Sequence, residues 1–226
     1  MRKEKRTKRK RPPPALHPGE GYTPRTKTQE AALETIRKHV ITFVLGPAGT
    51  GKTHLASGFA VQQLLSGACE HIVITRPSVA TEQLGYLPGS AEEKVGPYLV
   101  PFFDAIEQIA GRKGHTKDRE RVGAAVKIAP LAYLRGRTFR NSVMIFDEAQ
   151  NATFSQLKLF LTRIGDGSRV IITGDADQSD LPRSERRLVD VMQRLAHVRG
   201  VGVVEFKATD IVRHPIIEAV LQELER

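Results

Sequence analysis

Val40-Ile41-Thr42-Phe43-Val44-Leu45-Gly46-Pro47-Ala48-Gly49-Thr50-Gly51-Lys52-Thr53-His54-Leu55-Ala56-Ser57 is the stretch on which the reading of this chain turns. Its first six residues form an apolar, β-branched run that predicts a buried strand. From His54 to Val61 the residues suit a helix. Between them, Gly46 to Thr53 matches the phosphate-binding loop pattern of two spaced glycines followed by Lys and Thr. Gly46, Gly49 and Gly51 let the backbone curl toward phosphate oxygens, with Pro47, Ala48 and Thr50 completing the loop. The helix that follows aims free N–H groups and its positive dipole end at the anion. Lys52 is placed to reach the β- and γ-phosphates, and the Thr53 hydroxyl to ligate Mg²⁺. A Gly-rich turn that binds nothing is the bland alternative.

The length of 226 residues suits one sizeable α/β domain. No apolar run approaches the ~20 residues of a membrane helix, and no apolar stretch follows the basic N-terminus as in a secretory signal. Cys69 is the only cysteine, which rules out an intrachain disulfide and points to a reducing cytoplasm. The histidines are scattered without metal-ligand spacing.

The net charge of +10 is concentrated at one end. Residues 1–11 carry eight basic residues and one acid, a net of +7, which leaves +3 for the rest. With Pro12-Pro13-Pro14 and Pro18-Gly19 behind it, segment 1–20 reads as a disordered tail ahead of one folded domain, 21–226. Such a tail either binds nucleic-acid phosphates without sequence preference or simply solubilises the chain. Low aromatic content and the lack of Trp leave no obvious base-stacking platform.

Further strands are expected at His71–Thr75, Val126–Ala129, Ser142–Phe146, Arg169–Thr173 and Val201–Phe206. Helices are expected after Thr26, over Phe102–Ile109, and around 155–164, 185–197 and 215–225. Gly111–Arg119 reads as a mobile surface insertion. Strands alternating with helices predict a mostly parallel sheet covered on both faces.

Two strand ends carry more chemistry. Val143–Phe146 runs into Asp147-Glu148-Ala149-Gln150, placing carboxylates where open α/β sheets bind ligands. Asp147 is suited to hold Mg²⁺ and Glu148 to polarise the water that attacks a γ-phosphate. Ile171-Ile172-Thr173 ends in Gly174-Asp175-Ala176-Asp177-Gln178, where Asp175 and Gln178 are candidate γ-phosphate sensors or merely turn residues. Gln29 either completes a capping box with Thr26 or reads the adenine edge. Arg213, before the last expected helix, is a candidate for neutralising charge on the γ-phosphate. Arg76 is a phosphate or nucleic-acid contact, or structural.

These motifs, with Leu84-Gly85-Tyr86-Leu87-Pro88-Gly89 and Ile128-Ala129-Pro130-Leu131-Ala132-Tyr133-Leu134-Arg135-Gly136-Arg137-Thr138, resemble the PhoH-like family of ATPases over roughly residues 24–226. The resemblance implies a RecA-like P-loop NTPase core related to superfamily 1 helicase motors, with ATP and Mg²⁺ as cofactors. It assigns Gln29 to adenine, Asp147 and Glu148 to the metal and the attacking water, and Arg213 to the family's late arginine. It also implies a role on single-stranded RNA or another nucleic acid and a homo-oligomeric, hexameric ring, with Arg213 or Arg183 acting across the interface. The alternative from another class is an assembly module that binds RNA and uses ATP as a switch without turnover. A small-molecule kinase lacks support, because an acceptor pocket is not suggested.

Overall fold

A computed structural model describes residues 22–77, 100, 104, 115–129 and 131–212. Its centre is a six-stranded sheet: β1 (Ile41–Leu45), β2 (His71–Thr75), β3 (Val126–Ile128), β4 (Ser142–Phe146), β5 (Arg169–Gly174) and β6 (Val201–Glu205). The spatial order is β3-β2-β4-β5-β1-β6, and every pairing is parallel. All six expected strands form, with ends shifted by a residue or so.

Five helices lie among the described residues: α1 (Lys27–Lys38), ahead of β1, and α2 (Lys52–Leu65), α3 (His115–Ala125), α4 (Phe154–Leu161) and α5 (Leu188–Leu195), which sit in the crossovers that parallel strands need. Both sheet faces are thereby covered, which explains the near-continuous apolar strands. Val44, Ile72, Ile74, Val143, Ile145 and Ile171 point to the side of α1, α2 and α3. Their neighbours Phe43, Val73, Met144, Phe146, Val170 and Ile172 point to the side of α4 and α5. The strict alternation follows from the two-residue period of a strand.

Two expectations are corrected. His115–Arg119, read as part of a mobile insertion, opens α3. Its polar composition hid a docking helix that anchors through one buried side chain, Val122. Arg121 then donates to Leu64 O and Leu65 O, satisfying carbonyls at the end of α2. At α1, Thr26 caps the helix by accepting from Gln29 N, but the Gln29 side chain does not return to Thr26. It accepts from Arg25 N at 2.7 Å and donates to Thr50 O at 3.1 Å. A capping box is therefore not formed, because the amide braces the phosphate loop instead. The expected helices at Phe102–Ile109 and 215–225, segment 1–20 and Arg213 lie outside the described residues.

Burial also sets a pH dependence. It pushes the Tyr22 phenol up to about 12 and the Cys69 thiol up to about 11. Both groups are neutral when protonated, so the folded chain keeps protons that the unfolded chain releases first. Stability is therefore intact below pH 9 and falls as pH rises through the 9–12 window. Denaturant midpoints measured from about pH 8 to 11 should decline, and decline less in a Tyr22→Phe/Cys69→Ala double variant. A flat wild-type profile contradicts this.

Candidate nucleotide site

The site is built where β1, β2, β4 and β5 end together. Gly46, Gly49 and Gly51 adopt φ of 138°, 83° and 81°, values that side chains rarely tolerate. At Gly46 a β-carbon would also lie 2.5 Å from Phe206 O, so the end of β6 closes directly over the loop. Gly51 is the N-cap of α2, and no side chain caps that end. Lacking a side-chain cap, the first turn of α2 presents its N–H groups and positive dipole end at the loop mouth.

Thr50 Oγ1 donates to Pro47 O at 2.9 Å and stiffens the loop from within. The Lys52 ammonium folds back, donating to Gly46 O at 2.6 Å and Pro47 O at 2.7 Å. Burial lowers the Lys52 pKa, while the charges of Asp175, Glu148 and Asp147 act in the opposite sense. A half-buried cation held this way gains from any anion brought beside it.

Asp147 follows β4 and is 2% exposed, so its carboxylate needs partners. Oδ1 accepts from Thr53 Oγ1 at 2.9 Å and from Thr173 Oγ1 at 2.5 Å. Oδ2 accepts from Arg76 Nε at 2.9 Å and Nη2 at 2.5 Å. Strand order explains the meeting: β4 lies between β2, which ends before Arg76, and β5, which carries Thr173.

Glu148 is exposed and held in the left-handed region at φ 54°. That conformation costs on the order of 1 kcal/mol or more in a residue with a β-carbon. It turns the Glu148 carboxylate away from the strand's alternation. Gln150 Nε2 donates to Glu148 Oε2 at 2.7 Å, and Gln150 Oε1 accepts from Asp175 N at 3.1 Å. One buried amide thus ties the glutamate to the turn after β5.

Lys52, Thr53, Asp147, Glu148, Asp175 and Gln178 line one cavity of about 380 Å³. Of the other expected residues, Ala48, Gly49 and Gly51 line it too, whereas Gly46, Pro47, Thr50 and Gln29 do not, and Gln29 sits buried against Thr50. Among the described residues no group of three or more His, Cys, Asp or Glu could hold a metal ion. Sequence reading missed Thr173 and Gln150 as partners of the two acids. The signal for Thr173 was a polar residue ending an otherwise apolar strand.

The sequence matches the PhoH family, described as PhoH-like protein, over residues 22–225. This chain belongs to the PhoH-like family. It is 44% identical over 210 residues to a PhoH-like protein of Synechocystis sp., covering 92% of this chain and 63% of that one. To a PhoH-like protein of Bacillus subtilis it is 41% identical, covering 92% and 65% respectively. The chain therefore spans a little under two thirds of the length of these PhoH-like relatives. Among solved structures, the large terminase of a thermophilic bacteriophage resembles it with a TM-score of 0.59. That match has 14% identity and covers 89% of this chain and 50% of the terminase, a likeness of fold. The fold is that of a P-loop NTPase, a RecA-like parallel sheet with helices on both faces. No described helix of this PhoH-like chain is long and apolar enough to cross a membrane.

Proposed function

We propose that this PhoH-like protein is a cytoplasmic ATPase, folded as a single domain over residues 21–226, that hydrolyses ATP to ADP and phosphate with Mg²⁺. The observation that carries the reading is the convergence of Lys52, Thr53, Asp147 and Glu148 on one cavity at the mouth of an uncapped helix.

The residues present fit a magnesium ion. The Thr53 hydroxyl and Asp147 carboxylate oxygens lie 2.9 Å apart and are hard donors. So few protein ligands suit an ion that keeps waters and completes its shell with substrate phosphates. When bound, Mg²⁺ supplies positive charge against the β- and γ-phosphate oxygens. Asp147 and Thr53 would hold it, while Arg76 and Thr173 keep the Asp147 carboxylate oriented.

Lys52 exchanges its two loop carbonyls for phosphate oxygens, which relieves the electrostatic cost of its burial. Backbone N–H groups from Gly49 to Thr53 cradle the triphosphate. Glu148 orients a water for in-line attack and accepts its proton, with Gln150 fixing the carboxylate. Asp175 and Gln178 face the cavity as contacts to the γ-phosphate or its water. Gln29 braces Thr50 and, beside it, meets the adenine. Arg213 is assigned to the developing charge; Val212, its predecessor, donates to Gly49 O at 3.1 Å.

Coupling to single-stranded RNA, or another nucleic acid, and assembly into a homo-oligomeric ring belong to the same proposal. Its support is the basic segment 1–11, which carries a net charge of +7. Phosphate release should be Mg²⁺-dependent and should rise when single-stranded RNA is added at low salt, with sedimentation of the same samples reporting assembly. Failure to release phosphate under any condition would sink the ATPase reading, and a strictly monomeric, fully active enzyme would sink the ring.

A further inference from the structure

Leu131–Arg140 follows β3 and contains residues that the nucleotide site leaves unused. Leu131, Leu134 and Phe139 are buried in the core on the α4 side, at 4%, 0% and 7% exposure. The residues between and around these anchors (Tyr133, Arg135, Gly136, Arg137, Thr138 and Arg140) are exposed. Tyr133 is 71% exposed, more than any other large apolar or aromatic side chain among the described residues. Placing so much ring in water costs hydrophobic free energy, and the three anchors hold it there without freedom to fold inward.

The surroundings of the ring are basic. Arg135, Gly136 and Arg163 line a groove of about 360 Å³ against Ser155, Gln156 and Leu159 of α4, and no carboxylate lines it. None of Arg135, Arg137 and Arg163 forms an ion pair among the described residues. Arg163 is held in place by donating to Leu159 O, Thr162 Oγ1 and Arg137 O. Arg137 lies 5.1 Å over the Phe139 ring. Gly136, at φ 72°, has open space where a β-carbon would sit, so its backbone is approachable.

We infer that this loop and the flank of α4 form a binding surface for single-stranded nucleic acid, with a base stacked on Tyr133 and phosphates taken by Arg135, Arg137 and Arg163. An exposed ring accepts any base through its π-face, and guanidinium forks match phosphate geometry. An acidic protein segment would use the arginines but gives no reason for a solvent-facing ring. The surface is joined to the strand end that carries the two acids through the chain between them. Gln156, in the groove, accepts from Thr153 N, the N-cap of α4, directly after the segment carrying Asp147 and Glu148. The inference rests on the nucleic-acid part of the proposed function and gives it an address.

The test is fluorescence anisotropy of labelled oligouridine and oligothymidine on the whole chain at two salt concentrations, alongside basal and RNA-stimulated phosphate release. Tyr133→Ala should weaken binding roughly 5- to 150-fold and remove stimulation without altering the basal rate, and Tyr133→Phe should restore both. Arg135→Gln and Arg137→Gln should each reduce the log–log salt slope by about 0.7, one phosphate's share on a single strand. If the wild type binds and these variants bind equally well, this surface is wrong and the contact lies elsewhere. Should the wild type bind neither oligonucleotide, the nucleic-acid reading itself falls with it. Loss in Tyr133→Ala that Tyr133→Phe leaves unrepaired would overturn the stacking role.

Discussion

Lys52→Ala should abolish ATP turnover, by on the order of 10³-fold or more, while the chain stays folded. The ammonium is the cation of the phosphate loop, and charge-assisted contacts to transferring phosphoryl oxygens are worth several kcal/mol in a partly dehydrated site. Its acceptors, Gly46 O and Pro47 O, lie at the loop rim rather than in the core. Because burial already lowers the Lys52 pKa, removing the charge relieves a desolvation cost as it removes two hydrogen bonds. The thermal midpoint should therefore move by no more than about 4 °C. Phosphate-release kinetics with a parallel melting curve decide the matter. Turnover that survives the substitution would mean that the loop has been assigned the wrong role.

Glu148→Gln should leave ATP bound and stop its hydrolysis. The amide keeps the size of the side chain and can still accept from Gln150 Nε2, so the turn around φ 54° is preserved. What it loses is the ability to take a proton from the attacking water, typically about 10²- to 10⁴-fold in rate. Equilibrium binding of a fluorescent ATP analogue should change by less than about threefold, and trapped nucleotide should remain as ATP. The competing reading, an ATP-switched assembly module, predicts negligible turnover in both proteins and little difference between them. A variant that hydrolyses at the wild-type rate would remove Glu148 from the mechanism.

Much of the architecture is legible in the amino-acid sequence. Apolar β-branched runs bounded by polar residues mark the inner strands β1, β2, β4 and β5, because a strand buried on both faces cannot hide its composition. The loop Gly46–Thr53 and the acids at the end of β4 were legible for a related reason. Glycine at φ of 138°, 83° and 81° is a local backbone requirement, and local requirements leave local marks. Helix α3 was not legible, since it docks through Val122 and two guanidinium contacts rather than an apolar stripe. For Gln29 the sequence leaves both a capping box and an adenine contact open, because spacing alone cannot tell where a side-chain amide turns.

By itself, then, the sequence determined the six strands, the phosphate loop and the two carboxylates at a strand end, each a matter of neighbours along the chain. Only the tertiary structure decided the order β3-β2-β4-β5-β1-β6, and with it which side chains surround those acids. Thr173 and Arg76 reach Asp147 because β5 and β2 flank β4, a fact of sheet topology that no local pattern encodes. The exposure of Tyr133 has the same origin. Three anchors buried in a core assembled from distant segments hold the ring in solvent.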